Sequence, residues 1–152
     1  MRIEVIYLPD MFSPQKRSEI MSKVRSSNTT PEIRVRKLLH GLGYRFRLHR
    51  RDLPGTPDIV LPKYLTAIFV HGCFWHGCPT CRHATIRPQT NAKYWEMKLN
   101  RTLKRDLDNV TALIKLGWHV VIVWECETKK VNLNVLAHKL TTHLSSVFEA
   151  KN

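Results

Sequence analysis

Each of the four cysteines in this 152-residue chain stands where a single tetrahedral metal site could use it. Cys73, Cys78 and Cys81 crowd the segment His71-Gly-Cys-Phe-Trp-His-Gly-Cys-Pro-Thr-Cys81, and Cys126 closes Val-Val-Ile-Val-Trp-Glu-Cys. An ion held by all four would clamp a loop to a distant strand. Zinc favours a closed tetrahedron of thiolates or imidazoles, and such a site is structural. Two disulfides would use the same even count, but they belong to oxidising compartments. The opening Met1 to Asp10 carries acidic residues and no continuous apolar run of the signal-peptide kind, so a cytoplasmic setting is expected. Unrelated buried thiols are the remaining alternative, and Cys-x2-Cys beside Gly and Pro suits them poorly. The same loop holds His71, Phe74, Trp75 and His76, more chemistry than a structural knot requires.

Charge narrows the partner. Lys and Arg number 25 against 12 Asp and Glu, a net +13 with a pI near 10.0. So large an excess on one small domain points to a polyanion, most simply nucleic acid. An anionic membrane surface is the competitor, but no basic helix with a broad apolar face is evident. Runs such as Ala67 to Val70 and Val120 to Trp124 are far too short to span a bilayer.

The pattern predicts a loose leader over residues 1–12 and one domain over 13–150. Ser13-Pro14 opens a first helix to about Arg25, with Pro where a missing N–H is harmless. Thr30-Pro31 opens a second, with Ile33, Leu38, Leu39 and Leu42 inward. Tyr44 to Leu48 alternates as a half-buried strand. After the turn Leu53-Pro-Gly-Thr-Pro57 come strands at Asp58–Leu61 and Tyr64–Val70, then a loop from His71 to about Thr90. Asn91 is expected to cap a long helix to Leu116, with Leu99, Leu103, Val110, Leu113 and Ile114 as its apolar stripe. Trp118 to Glu125 reads as a sheet-centre strand, and residues 132–149 as a final amphipathic helix. This order predicts an α/β three-layer sandwich around a mixed sheet with an αβββαβ core, stapled by zinc.

A carboxylate at Asp58 would stand at a strand end, open to solvent and to a metal. The element order around it resembles the restriction-endonuclease-like nucleases, in which such an Asp holds Mg²⁺ and the next strand supplies Glu-x-Lys. Here that strand reads Thr66-Ala-Ile-Phe-Val-His71 and has neither, leaving His71 and His76 as the groups able to move a proton near neutral pH.

More specifically, Leu53 to Val60, Phe69 to Pro79, Thr90 to Trp95 and Val123 to Cys126 resemble the very short patch repair (Vsr) endonucleases, over roughly residues 13–128. The resemblance implies a restriction-endonuclease-like fold, a structural zinc and Mg²⁺-dependent nicking 5′ to the T of T·G mispairs left by deaminated 5-methylcytosine. It makes Asp58 a Mg²⁺ ligand together with the carbonyl of Val70, His76 the catalytic histidine, His71 its assistant, and Glu32 a carboxylate orienting metal-bound water. Cys73, Cys78, Cys81 and Cys126 fall on zinc positions, and Phe74, Trp75 and Trp95 on those of rings that intercalate into DNA. A monomer acting on duplex DNA, with mismatch-repair proteins and a repair polymerase as further partners, is implied as well.

Alternatives stay open on the residues themselves. Glu32 could equally be a solvated first-turn carboxylate, His71 a structural histidine, His76 a zinc-loop ligand, and Phe74, Trp75 and Trp95 core rings. Trp118 and Trp124 read as core. A restriction-type nuclease of the same fold, or a zinc-stapled DNA-binding protein without catalysis, would share much of this pattern.

Overall fold

Three apolar strands alternate between two hydrophobic layers, and that alternation sets the architecture. The structure, a computed structural model, describes residues 4–151. Strands β2 (Arg47–Leu48), β3 (Ile59–Leu61), β4 (Thr66–His71) and β6 (His119–Trp124) form one mixed sheet in the order β2-β3-β4-β6. The first two pairings are antiparallel and β4–β6 is parallel. On one face Ile59, Leu61, Ile68, Val121 and Val123 pack against Val35 and Leu39 of α2 (Thr30–Gly41) and Leu136, Leu140 and Leu144 of α5 (Leu133–Glu149). On the other, Val60, Ala67 and Phe69 meet Leu113 of α4 (Ala92–Lys115). Helices thus cover both faces, which explains why these strands are apolar throughout.

Several expectations change. The strand at Trp118–Glu125 lies at the sheet edge and not its centre, because two-sided helical cover produces the same apolar run; β3 and β4 are the strands paired on both sides. Only Arg47–Leu48 of the expected Tyr44–Leu48 strand pairs, since the Tyr44 amide closes α2 on Leu39 O at 3.0 Å. Asn91 precedes α4 in the left-handed conformation and makes no side-chain cap. Leu103 and Ile114, expected inward, are exposed, as are Ile33 on α2 and Leu42 just after it. A 24-residue helix rises roughly 36 Å, beyond the sheet's reach, so α4 buries only Trp95, Leu99 and Leu113.

The first helix, α1, spans Pro14–Ser22, capped by Ser13 accepting from Lys16 N–H, and buries nothing. The expected 71–90 loop contains the one-turn helix α3 (Cys73–His76), a 3₁₀ turn at Arg82–Thr85 and strand β5 (Ile86–Pro88). Within the expected loose leader, β1 (Ile6–Leu8) pairs parallel with β5; residues 1–3 lie outside the described residues.

The exposed edge of β6 is closed by side chains. Lys139 Nζ donates to Ile122 O at 2.9 Å, Glu127 Oε2 accepts from Trp124 N–H at 2.7 Å, and the two side chains pair at 2.8 Å. They occupy the donor and acceptor positions that an added strand would use. Lys139→Met should therefore give concentration-dependent self-association by light scattering; an unchanged mass up to high concentration would mean that the edge is protected by something else.

Candidate active site

Asp58 enters β3 from the turn Leu53–Pro57. Gly55 in that turn has φ +73°, and a Cβ on it would lie 2.8 Å from the Asn109 side chain, so the turn is seated directly on α4. Asp58 Oδ2 accepts from the Val70 N–H at 2.7 Å, which ties the carboxylate to the end of β4. Burial pushes its carboxyl up to about 6; the Val70 amide opposes this and the nearby Glu32 charge adds to it.

Glu32 is not solvated: it is 2% exposed. Its Oε1 accepts from the Thr29 hydroxyl at 3.1 Å, and Oε2 from the Asn28 amide and an Arg36 guanidinium nitrogen, both at 2.9 Å. Thr29 Oγ1 in turn accepts from the Glu32 N–H, so the N-cap that starts α2 also helps to aim this carboxylate. His49, to which the sequence assigned nothing, brings Nε2 to 3.2 Å from Glu32 Oε2. One ligand atom each from Glu32, His49 and Asp58 lies within 4.8 Å of the others.

A second group stands where β4 runs into α3. His71 and His76 stack with centroids 3.9 Å apart and ring planes 11° from parallel, and Trp124 abuts His71 edge-on at 5.6 Å. Burial, and then the neighbouring His76, lower the His71 pKa to about 4, so this ring is neutral at pH 7 and cannot serve as an imidazolium. His76 Nδ1 lies 2.5 Å from Asp106 Oδ2 on α4. With Nδ1–H donated to that carboxylate, the His76 Nε2 carries the lone pair a base needs. Asp106 had no motif to announce it, because it lies 30 residues from its partner along an otherwise ordinary charged helix.

Phe74, Trp75 and Trp95 form one ring cluster, with centroid separations of 5.0, 5.8 and 5.8 Å. Trp95 is 6% exposed and anchors it; Phe74 and Trp75 are half-buried. Lys98 Nζ sits 5.4 Å from the Trp75 and Trp95 rings and 5.7 Å from Tyr94. Cys73, which begins the turn carrying Phe74 and Trp75, brings its sulfur within 4.8 Å of those of Cys78 and Cys126. Cys81 packs against this group without joining it at that distance. No cysteine is in a disulfide. Burial pushes the Cys73 thiol up, so a thiolate there requires a cation beside it.

Both titratable groups, with Trp75 and Trp95, line one groove of about 1470 Å³. Arg17, Arg25, Arg51, Lys98 and Arg105 add positive charge to its walls. No described helix is long and apolar enough to cross a membrane.

The family model for the DNA mismatch endonuclease Vsr matches residues 9–82. The type II nicking enzyme V.XorIIP of Xanthomonas oryzae pv. oryzae is 51% identical over 120 residues, which are 79% of this chain and 87% of that protein. The type II nicking enzyme V.NmeAIP of Neisseria meningitidis is 44% identical, over 80% of this chain and 86% of its own length. The DNA mismatch endonuclease Vsr of Escherichia coli is 37% identical, over 78% of this chain and 75% of its own. The chain belongs to the Vsr DNA mismatch endonuclease family. The mixed sheet covered by helices is consistent with the restriction-endonuclease-like Vsr fold.

Within this Vsr-family domain Asp58 makes a test of the site's electrostatics. Its folded pKa of about 6 lies above the ordinary 3.8, so the carboxyl is favoured protonated in the native state, and stability falls as pH rises from about 4 through 6. Without added divalent cation, Asp58→Asn should melt higher than the parent at pH 7, by a margin on the order of 3 kcal/mol that shrinks as the pH falls towards 4. Equal melting at both pH values would show that the carboxylate is not strained by burial. Asp106→Asn should release the His76 tautomer, read as a change in the imidazole ¹⁵N shifts.

Proposed function

We propose that this chain is a divalent-cation-dependent DNA endonuclease that nicks one strand 5′ to the T of T·G mispairs arising from deaminated 5-methylcytosine, as a monomer in the cytoplasm. The observation that carries the reading is that Asp58 and the Asp106–His76 dyad open onto the same basic groove. A binding protein without catalysis has no use for a carboxylate destabilised by burial in the same groove as a histidine paired with an aspartate.

The donors fit the ions that the reading requires. A divalent cation at Asp58 and the Val70 carbonyl would relieve the buried charge and supply Lewis-acid stabilisation of the phosphate, the chemistry expected of Mg²⁺. His76 takes the proton from the attacking water, and the Asp106 carboxylate stabilises the imidazolium that forms. His71, neutral, packs the His76 ring in place. Glu32 would orient water at such a cation. Zinc suits the thiols: Cys78 Sγ and Cys126 Sγ are 3.8 Å apart, and Zn–S bonds of about 2.3 Å put tetrahedral sulfurs close to that separation. Cys81 is the fourth ligand in this reading, brought in from its place against the cluster.

Phe74 and Trp75, held on Trp95 and following Cys73 on one helical turn, are the wedge. Opening a stack is cheapest beside a mispair, so rings on a rigid support select it. The basic walls contact phosphates and carry no sequence information.

Asp58→Ala should abolish nicking of a labelled T·G duplex with Mg²⁺ while leaving mismatch binding largely intact. His76→Ala should lower the rate by on the order of 10²–10⁴. Wild-type rates in both variants would place the active site elsewhere, and equal cutting of matched DNA would mark a restriction-type nuclease. Elemental analysis should find one zinc per chain, lost with stability in Cys126→Ser; a folded preparation without zinc refutes the staple. Trp75→Ala should lower the ratio of mismatch to matched affinity, and an unchanged ratio in folded, zinc-loaded protein would return these rings to a packing role.

A further inference from the structure

His49 follows β2 with φ +43°, a conformation that non-glycine residues seldom adopt. Its amide donates to the Asp58 carbonyl at 3.3 Å, so its backbone is tied to the residue assigned above to the cation. Its Nε2 lies 3.2 Å from Glu32 Oε2 and 3.3 Å from an Arg36 guanidinium nitrogen, in the groove that Asp58 also lines. With its proton on Nε2 the ring donates to Glu32 alongside Arg36; with its proton on Nδ1 the Nε2 lone pair and the carboxylate face each other, an arrangement that a shared cation would satisfy.

The spacing suits one ion. The ligand atoms of Glu32, His49 and Asp58 lie within 4.8 Å of one another, and donors around a common ion at about 2.0–2.3 Å are separated by roughly 3–4.5 Å. The neighbouring trio of His71, His76 and Asp106 is just as compact. Its two rings are stacked nearly parallel, however, so their lone pairs do not converge, and His76 Nδ1 is already engaged by Asp106.

We propose that His49 is a third side-chain ligand, beside Asp58 and Glu32, of the divalent cation in this groove, and that its nitrogen tilts the site towards Mn²⁺ over Mg²⁺. The inference rests on the cation-dependent reading given above. Mg²⁺ strongly prefers oxygen donors, whereas imidazole nitrogen gains in strength towards the transition metals. The site is then more permissive than a pure carboxylate pair, and Glu32 acts as a ligand and not only through water.

The test uses the full-length, zinc-loaded protein without DNA, titrated with Mn²⁺ by electron paramagnetic resonance and with Mg²⁺ in competition. Pulsed measurements on wild type should show ¹⁴N coupling from a directly bound imidazole. His49→Gln should remove that coupling and weaken Mn²⁺ roughly tenfold, with a much smaller effect on Mg²⁺. Coupling that persists in His49→Gln, or an unchanged ratio of Mn²⁺ to Mg²⁺ affinity, overturns the proposal. Should His49→Gln fail to fold, His71→Asn decides: retained coupling supports His49, and lost coupling refutes it. Asp58→Ala separates this from the functional reading. If that variant still binds Mn²⁺ and nicks DNA, the cation reading itself falls; if it does neither while His49→Gln keeps the wild-type metal ratio, only the role of His49 falls.

Discussion

The parallel pairing of β4 with β6 is the constraint on which the rest of the site depends. Its register runs from Thr66 opposite His119 to His71 opposite Trp124. Cys73 lies two residues beyond His71 and Cys126 two beyond Trp124, so the ladder itself delivers both thiols to one place. A slip of one residue would turn every β6 side chain to the other face. It would take Val121 and Val123 away from α5 and carry Cys126 away from Cys73 and Cys78. Core packing and the cysteine cluster therefore enforce the same register, and a metal in that cluster would reinforce an alignment the core already prefers.

From that ladder the groove inherits its electrical character. β4 ends in a buried His71 held neutral, and the Val70 amide beside it binds an Asp58 carboxyl whose affinity for a proton burial has raised. Neither shift is useful for stability. Isolated buried charge is costly, and proteins keep it where a ligand will later compensate it. Asp106 and Glu32 differ, because each faces donors supplied by the protein: His76 in one case, and Asn28, Thr29 and Arg36 in the other. The floor of the groove thus pairs two satisfied carboxylates with one that is left under strain.

The aromatic cluster shows how a surface feature is given a rigid foundation. Trp95 is buried on α4, Phe74 and Trp75 lean on it from α3, and Cys73 begins that same helical turn. Ring orientation is set by two different elements and not by a free loop. Lys98 lies over the same rings, so positive charge and aromatic surface reach the groove together.

Local pattern was enough to place the helices at Pro14, Thr30 and Ala92 to within a residue or two, to mark Asp58 at a strand end, and to single out His71, His76 and the cysteine loop. These signals depend on neighbours along the chain: caps, alternation and short spacings. The sequence alone could not show that Asp106 would hold His76, or that His49 would meet Glu32 from 17 residues away. Nor could it tell that Leu103 and Ile114 would face outward, that β6 would form an edge, or that Cys81 would stand apart from the other three thiols. Each of those outcomes depends on where one element stops against another. Strand order and helix overhang are properties of the packed layers, and no repeat of 2 or 3.6 residues encodes them.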